Sequence, residues 1–377
     1  MTDANPEAHC LDRGNDLADN LSGYLSEMGA PYQLLHWGAQ TPLGRSPASS
    51  SAAFWTGMAR MEEHPIFVDQ TGEPAVTCRA PWLGGEVFGA QRFERLLLPA
   101  IEQALSSASY EAGPATRLGI FLALPEHRPG RPKDLEARLS AALDKSLTFR
   151  GRIVGHQLLA LGHAGGFEAL HQALEALVAG KLDMALVGGV DSYDEPETLE
   201  WLEAADQLHG FDNPWGFVPG EASACVVISK ANGVGAVTEL LAVATTTENK
   251  LIKSGEVCVG RGLSEAWGGA LRCLPDTSKV DMVLCDLNGE PYRSDEYGFT
   301  STRFSGCIES ASDFESCADR WGDVGAASGA LLMMVAAHRR QPRSIEGFCR
   351  YLISVSSEGG TRGAALLNCK MPSFVGC

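Results

Sequence analysis

Apolar residues recur along the chain in two rhythms. Phe93, Leu96, Leu97, Ile101 and Leu105 fall at the three- and four-residue intervals that line one face of a helix. Residues 118–123 are an unbroken apolar run that reads as a core strand. The alternation continues with a helix predicted from about 135 to 147 and another from about 164 to 179. In the latter, Phe167, Leu170, Leu174, Leu177 and Val178 share a face and Gly180 supplies the C-terminal stop. A strand over 184–187 then runs into Gly188-Gly189. A second series of the same kind follows, with Val227-Ile228, a strand over 280–285, a helix over 326–338 and a terminal strand over 364–367. Near the start, Leu34-Leu35 open a short strand that Pro42 and Gly44 end, and a helix carrying Phe54 and Trp55 comes next. Strands and helices alternating over short connections predict an α/β fold, with helices around mostly parallel or mixed sheets.

The chain has 377 residues, 45% of them hydrophobic and 20% charged, enough to bury a large core in more than one unit. Residues 1–30 hold six acids and a single Arg with little periodicity, and read as an acidic extension. The remainder divides near 230–235 into an N-terminal half, 31–232, and a C-terminal half, 233–377. No apolar run approaches the roughly 20 residues that span a bilayer, and the opening residues are not signal-like. A cytoplasmic protein without membrane insertion is expected. Eleven cysteines, an odd number without a C-x-x-C pair, indicate neither a disulfide framework nor a zinc knuckle, and read as buried small hydrophobes. The formal charge of -17 opposes nucleic acid and anionic lipid. It serves solubility, and would also suit a basic protein partner. No P-loop, dinucleotide fingerprint or H-E-x-x-H motif is present, so no cofactor and no metal is expected.

Four separated motifs carry a resemblance. Residues 162–171, GHAGGFEALH, with 183–192, DMALVGGVDS, resemble the β-ketoacyl synthase pattern A-C-S-S-S-L-x-A-L-H…D-x-A-L-V-G-G-V-D. Residues 216–222, GFVPGEA, follow Phe211-Asp212 as the synthase G-F-V-x-G-E element follows P-F-D. Residues 322–330 resemble G-H-T-x-A-A-A-G, and Gly359-Gly360-Thr361 the terminal G-F-G-G-T-N. The chain is thereby similar to β-ketoacyl synthase-like members of the thiolase superfamily over nearly all of 33–369. The resemblance implies the thiolase-like fold, two pseudo-twofold-related α/β halves forming layers α-β-α-β-α.

Synthases of this family attack an acyl thioester with a cysteine thiolate at a helix N-terminus, assisted by two histidines. Here His163 stands at the cysteine position, Asp286 and Asp323 at the two histidine positions, Ala318 where a lysine is usual, and Glu358 at the gating phenylalanine. Carboxylates do not donate hydrogen bonds unless protonated, and a negative charge beside a developing oxyanion opposes the reaction. Claisen condensation is therefore not expected. At a helix N-terminus, burial and the dipole would hold the His163 imidazole neutral. Three readings stay open: His163 fills a former pocket, it serves as acyl acceptor or base in an acyltransferase or thioester hydrolase, or His163, Asp286 and Asp323 form a new cluster able to hold a divalent cation. The leading expectation is a catalytically degenerate synthase-like protein used for binding or assembly. It also resembles thiolase-like proteins associated with type VI secretion effector clusters, which implies an effector or its chaperone as partner. The resemblance further implies a homodimer, or a pair with a related subunit, joined beside the strand at 184–187, which would sit close to a sheet edge.

Overall fold

The computed structural model describes residues 32–231, 237–251, 254–275, 277–339 and 347–370. The acidic extension and most of the expected junction between halves lie outside the described residues. The first half begins with β1 (Tyr32–Gln40) and α1 (Pro47–Trp55), whose start is capped by Ser46 accepting the Ser49 N–H. The small hairpin β2 (Glu62–Val68) and β3 (Pro74–Thr77) follows, then α2 (Ala90–Ala108), β4 (Arg117–Ala123), α3 (Leu135–Ser146), β5 (Arg152–Leu159), α4 (Gly165–Val178), β6 (Met184–Ser192), α5 (Pro196–Ala204) and β7 (Glu221–Lys230). The second half holds β8 (Thr238–Thr247), α6 (Arg261–Leu271), β9 (Met282–Cys285), α7 (Pro291–Arg303), β10 (Phe314–Ser316), α8 (Ala318–Trp321), α9 (Ser328–Ala337), β11 (Phe348–Ser356) and β12 (Thr361–Lys370).

The halves repeat one plan. In the first, the order is β5-β4-β6-β7-β1, with β4 parallel to both neighbours and β7 antiparallel to both of its own. In the second it is β10-β9-β11-β12-β8, with β9 and β12 in the same two roles. They meet where Tyr32 and Gln33 of β1 pair with Leu240 and Glu239 of β8. Helices α4 and α9 pack between the two half-sheets, while α2 and α3 cover the outer face of one and α6 and α7 that of the other. This is the expected layered fold. Helix α9 is buried on every side from Ser328 to Ala336, which explains why its sequence has no polar face.

One expectation is corrected. The strand at 184–187 is not at a sheet edge: β6 pairs on both sides, with β4 and β7, and every residue in it is buried. A strand covered on both faces needs no charged guard, which is why it lacks one. The edges of the sheet are the short β10 and the longer β5, and the residues of β5 are all partly or fully exposed. Its apolar residues come as the adjacent pairs Ile153-Val154 and Leu158-Leu159 around Gly155, His156 and Gln157, which leaves no alternating signal. The cysteines also differ in part from expectation. Eight described cysteines are free, seven of them buried, but Cys307 is disulfide-bonded.

Helix α2 crosses β1 at backbone contact: a Cβ on Gly38 would lie 1.7 Å from the Ala100 carbonyl oxygen. Gly38→Ala must displace the helix, so it is expected to destabilise the fold by about 1–3 kcal/mol in denaturant unfolding. Unchanged stability would show that α2 shifts freely on the sheet.

Candidate functional site

The site lies where the two central helices begin. Gly162, with φ 65°, turns the chain into a single 3₁₀ turn, Gly162–Ala164, before α4. Gly325, with φ 47°, does the same at Gly325–Ala327 before α9. Residues other than glycine rarely adopt these angles, and a Cβ on Gly325 would also strike the Asp191 carboxylate at 1.9 Å. The pseudo-twofold arrangement brings the two turns face to face, and with them His163 and Asp323.

His163 Nε2 lies 2.7 Å from Asp323 Oδ1, both side chains being buried. The same carboxylate oxygen accepts the Gly325 N–H at 2.8 Å, and Oδ2 accepts the Asn288 amide at 2.7 Å. Burial favours neutral imidazole, but the Asp323 charge and hydrogen bond outweigh it, and His163 titrates above its ordinary range. Burial likewise opposes ionisation of Asp323. The charge and hydrogen bond of His163, with help from Arg293 and the Gly325 N–H, hold it well below the usual carboxylate range. The expected neutral His163 is thus corrected: the carboxylate opposite decides its charge, because a charge at hydrogen-bond distance outweighs a half-charge at the helix end.

Asp286, directly after β9, does not touch His163. Its Oδ2 accepts from Arg293 Nη1 at 2.9 Å and from the Ser356 N–H at 2.8 Å. Arg293, buried on α7, also bonds the Ser356 carbonyl at 2.6 Å and Glu290 Oε2 at 3.2 Å. Glu290 accepts in addition from Asn288 at 3.0 Å and from Gln207 Nε2 at 3.0 Å. Glu358, half-buried at the gate position, accepts from the same Gln207 amide at 2.8 Å. Ala318 opens the short helix α8 and brings no charge. His163, Asp286 and Asp323 do not converge as a ligand set. Among the described residues the three ligand atoms that do lie within 4.8 Å of one another belong to Glu248, Cys258 and Glu296. Glu296 is already bonded there to Arg362 at 2.6 Å, so a cation would meet a guanidinium.

Asn288, Glu290, Arg293, Gln207 and Glu126 were not anticipated. Glu126 has both carboxylate oxygens on the Gly359 N–H, at 3.0 and 3.1 Å, and burial pushes its carboxyl up. The i,i+3 spacing of Glu290 and Arg293 is visible in the sequence, but such a pair normally lies on a solvated helix face. Behind the turns, Asp191 accepts the Ala326 N–H at 2.9 Å and an Arg128 hydrogen bond at 2.6 Å, with the guanidinium 3.9 Å over the Tyr193 ring.

The arrangement is an internally paired network. Cys317, within the field of Asp323, is driven far above the thiol range by burial first and then by that carboxylate, so it remains a thiol. Ser357 donates to the Leu161 carbonyl at 2.6 Å and accepts the Ala164 N–H at 2.8 Å. Neither side chain is left as a free nucleophile.

The ion pair carries a pH signature. Raised His163 contributes stability below its unfolded pKa near 6.5 and loses it as pH climbs through the folded value; lowered Asp323 contributes above about 4 and loses it on acidification. The pair therefore stabilises most between about pH 4 and 6.5. Asp323→Ala is expected to cost about 3 kcal/mol at pH 6 and to remove the loss of stability above that pH. Parallel stability–pH curves for wild type and variant would contradict it.

Residues 162–233 match the family described as "Beta-ketoacyl synthase, N-terminal domain". No curated protein matches the sequence. Among solved structures, the chain is similar to the ketosynthase from module 6 of the bacillaene synthase of Bacillus subtilis 168. The TM-score is 0.68 and the identity 15%, over 91% of this chain and 72% of that one. It is similar also to the structure titled as a type II acyl-carrier protein in complex with its ketosynthase, AntDE:AntF, with TM-score 0.69 and 14% identity over 91% and 100% of the two chains. The ishigamide ketosynthase/chain length factor gives 0.64 and 17% over the same shares. With the repeated half-sheets and paired helix turns, these likenesses establish that the chain has the thiolase-like fold of the ketosynthases.

Proposed function

We propose that this ketosynthase-like protein performs no condensation and serves as a binding or assembly component. The observation that carries the reading is the buried His163–Asp323 pair: the nucleophile position holds a group that titrates above its ordinary range, locked onto a carboxylate. Asp286, at the first of the two histidine positions, is tied to Arg293 and the Ser356 N–H, and Asp323 stands at the second. Acceptors stand where a developing oxyanion needs donors, and losing one such donor costs roughly 100-fold to 1000-fold in rate. The cargo we propose is a protein, such as a secretion-system effector or its chaperone.

Pairing is part of the same proposal, with a second copy or a synthase-like subunit at β5. That strand is a free edge eight residues long, with neither Pro nor Lys inside it, and Val154 projects half-exposed. Such an edge is a template for another strand. A neighbouring fold is titled a ketosynthase/chain length factor, which accords with a two-subunit arrangement.

Incubation with acyl and malonyl thioesters is expected to yield no new carbon–carbon bond, and His163→Cys is not expected to restore one. Product from the wild type would sink the reading. Thioester hydrolysis that is lost in His163→Gln would favour the acyltransferase or hydrolase alternative. Sedimentation is expected to show a dimer burying more than roughly 2,000 Å². Val154→Lys should convert it to monomer, and a wild-type monomer at micromolar concentration would remove the pairing.

A further inference from the structure

On the surface beside the site, the β2–β3 hairpin and the loop after α5 form one packed unit. Phe67 and Ala75 of the hairpin bury against Leu199, Leu202, Leu208 and Phe217. The Gln70 N–H bonds Glu203 at 2.6 Å, and the Asp69 carboxylate lies 3.4 Å from where a Gly210 Cβ would stand. From this unit four large apolar side chains face water: Ile66 at 76% exposure, Val68 at 53%, Phe211 at 88% and Trp215 at 68%.

The loop that carries the two aromatics is held firmly. Gly210 and Asn213 exchange backbone hydrogen bonds at 3.2 Å, the Asn213 amide bonds the Asp206 and Leu208 carbonyls, and Phe217 and Gln207 pair across its base at 2.8 Å. Aromatic side chains held on an ordered backbone lose little entropy on binding, which makes them effective anchors. Exposed apolar groups that gather in one region mark an interaction surface.

The charge of the surroundings selects the partner. Residues 61–77 contain four acids and residues 196–219 five, with no Lys or Arg in either segment. Arg60, at the hairpin base, is paired with Glu62 at 2.8 Å. Such a field repels nucleic acid, anionic lipid and the chain's own 1–30 segment with its six acids. We propose that this surface docks a basic polypeptide segment bearing apolar anchors. Its Leu- or Phe-type side chains meet Phe211, Trp215 and Ile66, and its Lys or Arg side chains meet the acidic rim and the aromatic faces. This inference holds whether or not His163 performs chemistry.

The test measures binding of three short labelled peptides to the full chain by fluorescence anisotropy at about 0.15 M salt. One alternates Lys with Leu as an amphipathic helix, one replaces each Leu by Ser, and one replaces each Lys by Glu. The Lys/Leu peptide is expected to bind at least about tenfold tighter than either other peptide, and Phe211→Ser with Trp215→Ser to weaken it about tenfold or more without changing the thermal midpoint. Equal binding of the Lys/Leu and Lys/Ser peptides would overturn the proposal, since net charge alone would then explain it. Undiminished binding to the double variant would do the same. If sedimentation shows that the double variant dissociates a wild-type oligomer, the occupant is a second copy of this chain, and the proposal of a basic partner falls.

Discussion

The structure depends on burying the starts of two helices, α4 and α9, between two half-sheets: α9 is covered on every side from Ser328 to Ala336, and α4 exposes Glu175 and Val178 only toward its C-terminal end. That constraint demands small residues at each close approach. A Cβ on Gly189 would lie 2.1 Å from the Ala326 carbonyl, and one on Gly363 2.5 Å from the Phe167 ring. It also demands an answer for the unpaired N–H groups at the buried helix starts. Asp323 takes the Gly325 N–H, Asp191 the Ala326 N–H and Ser357 the Ala164 N–H. The carboxylates at these helix starts therefore have a structural reason to be there, since anions at helix N-termini are favoured by the dipole as well as by the hydrogen bond.

The chemistry follows from this anchoring. Asp323, fixed by the α9 start, captures His163, fixed by the α4 start, and the proton stays on the pair. Asp286 and Glu290 would be two uncompensated buried charges without Arg293, which bonds both. Breaking a buried pair leaves the partner charge unpaired at several kcal/mol, so these residues stabilise one another as a set. A site organised to satisfy its own charges has few groups left over for a substrate. The exposed aromatics of the loop after α5 contrast with it, because nothing within the described chain covers them.

A second buried network secures the outer layer. Arg92 of α2 makes two 2.6 Å bonds to Glu221, which also takes the Ala80 N–H and the Ser192 hydroxyl. The glutamate of the G-F-V-P-G-E motif thus ties α2, β6 and β7 together. Conventional patterning marked Glu221 as part of a turn motif, but its partner sits 129 residues away and had no local signature.

The periodic segments were legible because burial on one helix face, or on both faces of a strand, leaves a local imprint: α2, α3, α4, β4, β6 and β12 lie where the apolar rhythm puts them. The glycines marked the two turns for the same reason, since positive φ and backbone contact restrict a position to glycine whatever surrounds it. The sequence alone thus determined the fold class and the turn glycines that set His163 and Asp323 at the two helix starts. Three matters were decided only by tertiary structure: the charge of His163, the pairing of Asp286 with Arg293 rather than with His163, and the identity of the sheet edges. His163 and Asp323 are 160 residues apart, and no local pattern encodes which distant charge a folded chain will place at 2.7 Å; Asp286 and Arg293 are only seven residues apart, but joined across the turn from β9 into α7.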